Sequence, residues 1–235
     1  MKGSKKRLGI LGGISAASTQ KYYQKLTDLY YSLEKDYYYP EILINSLDFQ
    51  YFTDLENEKR TTEYIQYIVS SIHQLQKAGA DVIIMAANSP HSVYDEVKTR
   101  VQVPIISIVE TTAQKAKELN LKKVLLTGIK YTMQSDFYQR KFKTYGIDVI
   151  VPDEQEQIQI DEIIFKELAI GKFLQSSRES ILKIINGKNV DGVILGCTEL
   201  PLLIKQENCR IPILDTLTLH VEKTLYNLLC KLKER

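Results

Sequence analysis

The chain repeats itself, and the repeat limits the folds open to it. Asp81-Val82-Ile83-Ile84-Met85-Ala86-Ala87-Asn88 matches Asp191-Gly192-Val193-Ile194-Leu195-Gly196-Cys197-Thr198 at an offset of 110 positions. Val103-Pro104-Ile105 matches Ile211-Pro212-Ile213 at an offset of 108, and Leu11-Gly12-Gly13 loosely matches Thr127-Gly128-Ile129 at 116. Three landmarks in one order at nearly one offset imply two similar lobes related by a pseudo-twofold. We expect the first lobe to take residues 1–100 with 211–235, and the second residues 101–210.

Within each copy, short apolar runs alternate with amphipathic stretches. Leu8–Leu11, Ile42–Ser46, Val82–Met85 and Pro104–Val109 read as strands, and so do Val124–Thr127, Val149–Val151, Val193–Leu195 and Ile211–Leu214. Helical spacing covers Ser15–Leu33, Thr61–Ala78, Pro90–Arg100 and Thr111–Leu119. It returns over Asp136–Tyr145, Ile160–Leu168, Ser176–Asn186 and Thr218–Lys233. Strands alternating with helices predict an α/β fold, each lobe a parallel sheet in a three-layer α/β/α sandwich. The strand runs are apolar throughout, as strands buried on both faces are. Ligands of such sheets sit beyond the carboxyl ends of the strands, and both lobes would present those ends to a shared cleft.

Composition narrows the partners. Thirty-one basic against 29 acidic residues leave a charge of +2, too small an excess for a dedicated nucleic-acid binder. The one dense basic run, Lys2–Arg7, reads as a solvated tail. No apolar run approaches the roughly 20 residues that span a bilayer, so we expect no membrane partner and a cytoplasmic protein. The cysteines are Cys197, Cys209 and Cys230, with no CxxC pair, and His73, His91 and His220 are far apart, so no metal site is indicated. Cys197 differs from the other two. It ends a buried strand in Gly196-Cys197-Thr198-Glu199, and a helix beginning at Glu199 and Leu200 would favour a thiolate. Cys230 falls on the apolar face of the last helix and reads as core.

Leu8–Ser15 (LGILGGIS), Ala86–His91 (AANSPH), Gly128–Tyr138 (GIKYTMQSDFY) and Gly196–Pro201 (GCTELP) together resemble the aspartate/glutamate racemase family, in family order and over nearly the whole chain. The resemblance implies the two-lobed fold and a cofactor-independent inversion at the α-carbon of a small acidic amino acid. One cysteine from each lobe acts in that chemistry, on opposite faces of the carbon. Glu199 after Cys197-Thr198 is similar to the aspartate branch, whereas cell-wall glutamate racemases usually carry His there. At the first cysteine of the family pattern this chain has Ala87, which is also the repeat partner of Cys197. A methyl group exchanges no proton, so inversion by a cysteine pair is excluded. Ser89, a water, or substrate groups held by Asn88 are the substitutes left open.

The resemblance also points to a small anionic ligand. The turn ending at Ser15 and the amides around Asn88-Ser89 and Thr198-Glu199 are candidates for its α-carboxylate, and Lys130, Tyr131 and Thr132 for a distal carboxylate. Gly12-Gly13 also fits a plain turn, Lys130 and Tyr131 fit a surface, and His91 fits either a cleft wall or a packed surface. Tyr37-Tyr38-Tyr39-Pro40 reads as a homodimer interface or as loop packing. Three functions stay open: a racemase of acidic amino acids, a one-cysteine decarboxylase or lyase acting on a related carboxylate, and a binding protein without chemistry.

Overall fold

A computed structural model describes residues 6–233, with side chains described through residue 229. Lys2 to Lys5 of the basic run and the side chain of Cys230 lie outside the described residues. The chain divides into two compact units, residues 1–108 with 220–235 and residues 109–219. The expected boundaries were 100/101 and 210/211. They move because Ile105–Ile106 hydrogen-bonds into the first sheet and Ile213–Asp215 into the second.

The first unit runs β1 (Leu8–Gly12), α1 (Ala16–Glu34), β2 (Ile42–Ser46), α2 (Phe49–Asn57), α3 (Thr61–Lys77), β3 (Val82–Met85), α4 (Tyr94–Arg100) and β4 (Ile105–Ile106). The second contains most of α5 (Ile108–Glu118), then β5 (Lys123–Thr127), α6 (Lys130–Gln134), α7 (Phe137–Lys143), β6 (Asp148–Ile150), α8 (Glu154–Lys166) and α9 (Gln175–Asn186). It continues with β7 (Gly192–Leu195), α10 (Leu200–Leu203) and β8 (Ile213–Asp215), and α11 (Thr216–Lys233) starts there and continues into the first unit. Each unit holds a parallel four-stranded sheet with flanking helices, ordered β2-β1-β3-β4 and β6-β5-β7-β8. Parallel neighbours need crossover connections, which is why helices alternate with the strands. The inner strands β1 and β3 are buried at every residue, as is β7.

The landmarks of the repeat turn out to be structural pins. Asp81 accepts a hydrogen bond from Arg7 N (2.7 Å), just ahead of β1. Its partner Asp191 accepts from Lys122 N and Lys123 N (both 2.9 Å) at the start of β5. Those backbone donors hold the Asp191 carboxyl below its ordinary range. Pro104 O accepts from Ile83 N (2.9 Å) and Pro212 O from Val193 N (3.0 Å), which sets β4 against β3 and β8 against β7. In both copies the acid aligns the start of the inner strand pair, and the proline carbonyl starts the outer pairing.

Several elements differ from expectation. The strand expected over Pro104–Val109 is only two residues long, because the chain turns into α5 at Ile108. The helix expected from Pro90 opens as a 3-10 turn over Ser89–Val93 and becomes α-helical at Tyr94. Helix α8 begins six residues earlier than expected, started by a capping box of Asp153 and Glu156. Helix α2 was not expected. Asp48 caps it through Tyr51 N (3.1 Å), and Phe52 and Leu55 face the core.

The Tyr37–Tyr39 loop is ordered by its own side chains. Tyr31 stacks on Tyr37 with centroids 5.2 Å apart, Tyr30 lies against Tyr39, and Asp36 accepts from Tyr30 OH (2.9 Å) and Tyr38 N (3.0 Å). Tyr37 and Tyr38 nonetheless stay exposed. Among the described residues no helix is long and apolar enough to cross a membrane.

Candidate active site

In each sheet the strand order reverses between the two inner strands, so β1 with β3, and β5 with β7, border a switch point where the connections leave in opposite directions. A crevice opens beyond the carboxyl ends at such a point. The motif residues fall there. Ala86 N donates to Leu11 O (2.9 Å) and Gly196 N to Thr127 O (2.7 Å), bringing Gly12-Gly13 beside Ala87 in one unit and Gly128 beside Cys197 in the other. Close approach dictates the glycines. Gly13 sits at φ +85°, and a Cβ there would lie 2.3 Å from Leu47 N; a Cβ on Gly196 would lie 2.6 Å from Thr127 O.

In the second unit Cys197 is partly exposed at the end of β7, and its thiol donates to Glu199 Oε2 (3.0 Å). Thr198 Oγ1 donates to the same oxygen (2.7 Å). Thr198 and Glu199 are both buried. The expected helix at Glu199-Leu200 is the single turn α10, so its dipole contributes little to the thiol. Lys130 is half-buried, its amide held by Asp161 Oδ1 (2.6 Å) on α8. Thr132 is fully buried, its methyl packed behind the Gly128 and Gly196 turns, so it shapes these strand ends from inside. Cys209 is buried among Ile and Leu side chains of the same unit's core.

In the first unit Ser15 caps α1 by accepting from Ser18 N (3.3 Å), and Ser18 Oγ donates to Ala86 O (2.7 Å), which ties the glycine turn to the end of β3. Ala87, Asn88 and Ser89 are buried. His91 is buried too, which sets aside the packed-surface reading. Ile108 N donates to its Nε2 (3.2 Å), so Nδ1 carries the hydrogen and donates to Ala87 O (3.1 Å). Burial, then the neighbouring His220, lowers His91 to about 3. His220 is held the other way round, donating from Nε2 to Ile106 O (2.9 Å) and accepting from Tyr22 OH at Nδ1 (2.9 Å), and burial lowers it to about 4. Both rings are neutral braces of the strand-end loops.

The sequence reading missed Glu56. It lies on the core face of α2, 8% exposed, and its Oε1 accepts from Tyr64 OH (2.6 Å). The Ser89 hydroxyl donates to the same carboxyl. Burial pushes the Glu56 carboxyl up to about 7, and the two hydrogen bonds only partly oppose this. The signal was an acid at the i and i+4 spacing of Phe52, one position after Leu55, in a segment opened by the capping residue Asp48. Among the described residues no cluster of three or more metal-ligating side chains exists.

A duplicated α/β chain with a thiol–carboxylate pair at one switch point defines a narrow class. Residues 11–224 match the model of the Asp/Glu/Hydantoin racemase family, and the chain belongs to that family. It is similar to the broad specificity amino-acid racemase RacX of Bacillus subtilis (strain 168), 28% identical over 214 residues that cover 89% of this chain and 92% of the relative. Among solved structures it is similar to an aspartate racemase homologue from Pyrococcus horikoshii OT3, with 36% identity, a TM-score of 0.84 and coverage of 95% and 99% of the two chains. It is also similar to the Picrophilus torridus aspartate racemase, at 26% identity, a TM-score of 0.73 and coverage of 97% and 94%.

Proposed function

We propose that the chain is a cofactor-independent amino-acid racemase, an isomerase that moves a proton at the α-carbon of an acidic amino acid with Cys197 as acid and base. The observation that carries this reading is the Cys197 thiol at the switch point of the second unit, one hydrogen bond (3.0 Å) from the buried Glu199 carboxylate. Glu199 takes the proton from sulfur, and the thiolate then removes the α-hydrogen. The C–H bond breaks, an S–H bond forms, and the electron pair spreads into the substrate's α-carboxylate. In the first unit the polar groups at Ser15, Asn88 and Ser89, and in the second those at Lys130, Thr198 and Glu199, are assigned to substrate carboxylates, with Thr132 fixing the second unit's turns from behind. In the two-cysteine chemistry that the resemblance implies, the position of the second thiol falls on Ala87.

Family membership and likeness to aspartate racemases support the substrate class. The name of the Bacillus subtilis relative argues for testing neutral amino acids as well. We assign the exposed Tyr37–Tyr39 cluster to a homodimer interface and the enzyme to the reducing cytoplasm, where its cysteines stay thiols. The alanine at 87 favours one second reading, a one-cysteine decarboxylase that only protonates a carbanion. Chiral chromatography of an amino-acid panel incubated without added cofactor separates the two. Racemisation of aspartate or glutamate supports the first, and carbon dioxide release from a malonate-type acid without racemisation supports the second.

A further inference from the structure

In each unit the turn after the first strand leads into a helix whose first amides need acceptors. In the first unit the chain supplies one locally, since the Ser15 side chain caps α1 through Ser18 N (3.3 Å). In the second unit the residue ahead of α6 is Ile129, whose side chain accepts nothing. The acceptor comes instead from α8, where Asp161 Oδ1 takes the hydrogen of Lys130 N at 2.6 Å. Helix α8 itself gains little from this residue. Aspartate is a poor helix former, and Asp161 lies on the stripe of the buried Gln157, Ile160 and Ile164, where an apolar side chain would pack. A half-buried carboxylate at that place is explained by what it holds.

What it holds leads to Cys197 within the same unit. Lys130 is the first residue of α6. Thr132, two residues on, is fully buried with its methyl behind the Gly128 and Gly196 turns. A Cβ on Gly128 would lie 3.0 Å from Gly196 O, and Gly196 directly precedes Cys197. The Lys130 amide is therefore the point at which α8 sets α6 against the end of β7.

We infer that Asp161 is a positioning residue of the second unit: it fixes the start of α6, and with it the root of the Lys130 side chain that receives a substrate carboxylate. This rests on the racemase reading above, which assigns Lys130 to a carboxylate. Asp161 does not touch substrate and acts through Lys130. A charged acceptor makes a short, strong hydrogen bond to a backbone N–H. Fixing the backbone at the root of a long, flexible side chain removes freedom that binding would otherwise have to remove.

The test is steady-state racemisation of aspartate and glutamate, read by chiral chromatography. Asp161→Ala removes the acceptor and should raise KM by about tenfold, with kcat within about twofold of wild type. Asp161→Asn keeps an oxygen acceptor of the same size and should return KM to within about threefold of wild type. In a Lys130→Ala background, where KM is already raised, Asp161→Ala should add less than about twofold, because its effect runs through Lys130. Hydrogen exchange at the Lys130 amide, a readout that needs no activity, should be about tenfold faster in Asp161→Ala and restored in Asp161→Asn. A merely structural role would lower the thermal midpoint and kcat per total protein and leave KM alone. That result, an unchanged Asp161→Ala, an Asp161→Asn as impaired as Asp161→Ala, or a full further rise of KM in the Lys130→Ala background would overturn the Asp161 assignment and leave the racemase reading standing. A wild type that racemises no amino acid would overturn the racemase reading, and the positioning role would fall with it even where the Lys130 amide stays protected.

Discussion

Glu56→Gln should change how stability depends on pH, by an amount that the structure sets. In the fold the Glu56 carboxyl is buried and raised to about 7, against 4.5 for an ordinary glutamate. Each tenfold gain in proton affinity is worth about 1.4 kcal/mol, so the folded state holds this proton more tightly by about 3 kcal/mol. For an acid the raised value fixes the sign. The stabilisation is fully present below about pH 4.5 and is lost as pH rises through about 7, because the folded state then carries an ionised carboxyl in its core. Integrated over both titrations, the wild type loses about 2.5 kcal/mol from this group between about pH 5 and pH 8. Glutamine does not titrate, and every other ionisable group is common to the two proteins. The difference in unfolding free energy should therefore tilt by about 2.5 kcal/mol across that range, in favour of Glu56→Gln at the alkaline end. Urea unfolding followed by circular dichroism at several pH values measures it. Parallel profiles for the two proteins would refute the claim that Glu56 is buried and protonated in the fold.

Three further outcomes follow from other sites. His91 and His220 are held neutral at about 3 and about 4, below the unfolded 6.5, so their contribution is present above pH 6.5 and is lost as pH falls toward 4. Up to two protons are taken up by the histidines on unfolding while Glu56 releases up to one, so the test is made in Glu56→Gln, where the histidines alone give a slope of up to about 2.7 kcal/mol for each pH unit; an unfolding midpoint of that variant that stays flat from pH 6.5 to 4.5 would contradict it. Ala87→Cys restores a thiol at the repeat partner of Cys197 with little change in volume. It should raise racemisation of aspartate or glutamate by roughly two to four powers of ten, read by chiral chromatography; a folded variant that stays inactive on every amino acid argues for the decarboxylase reading. Cys209→Ser, in the core of the second unit, should lower the unfolding midpoint and leave turnover per folded molecule unchanged.

The parts legible in the sequence were those written as buried strands. Val82–Met85 and Val193–Leu195 are apolar on both faces, and the polar residues that close each run, Asn88 after β3 and Cys197 to Glu199 after β7, fall where the strands end. The parallel α/β lobes and the family resemblance follow from the same segments. Pro104–Val109 misled because Ile105, Ile106, Ile108 and Val109 form one apolar run, yet the chain passes from strand to helix inside it, and periodicity cannot divide so short a run. That error also moved the first boundary between units. Glu56 was hidden for another reason. A glutamate near the end of a short helix reads as a solvated face, and the groups that bury and bind it, Tyr64 and Ser89, come from later elements. The Asp and Pro landmarks were visible as repeats, but their work as pins for strand starts could be read only from backbone hydrogen bonds.

The proposed racemase chemistry rests on the Cys197 thiol, at the end of β7 and hydrogen-bonded to Glu199, exchanging the α-proton of an amino acid. The most direct measurement is loss of the α-hydrogen NMR signal in deuterated water, with no cofactor added, for wild type and Cys197→Ser side by side. A serine hydroxyl is a far weaker acid than a thiol, so the wild type should exchange at least one enantiomer, and exchange of that enantiomer should slow by about a hundredfold or more in a folded Cys197→Ser variant. Exchange that proceeds undiminished in Cys197→Ser would contradict it.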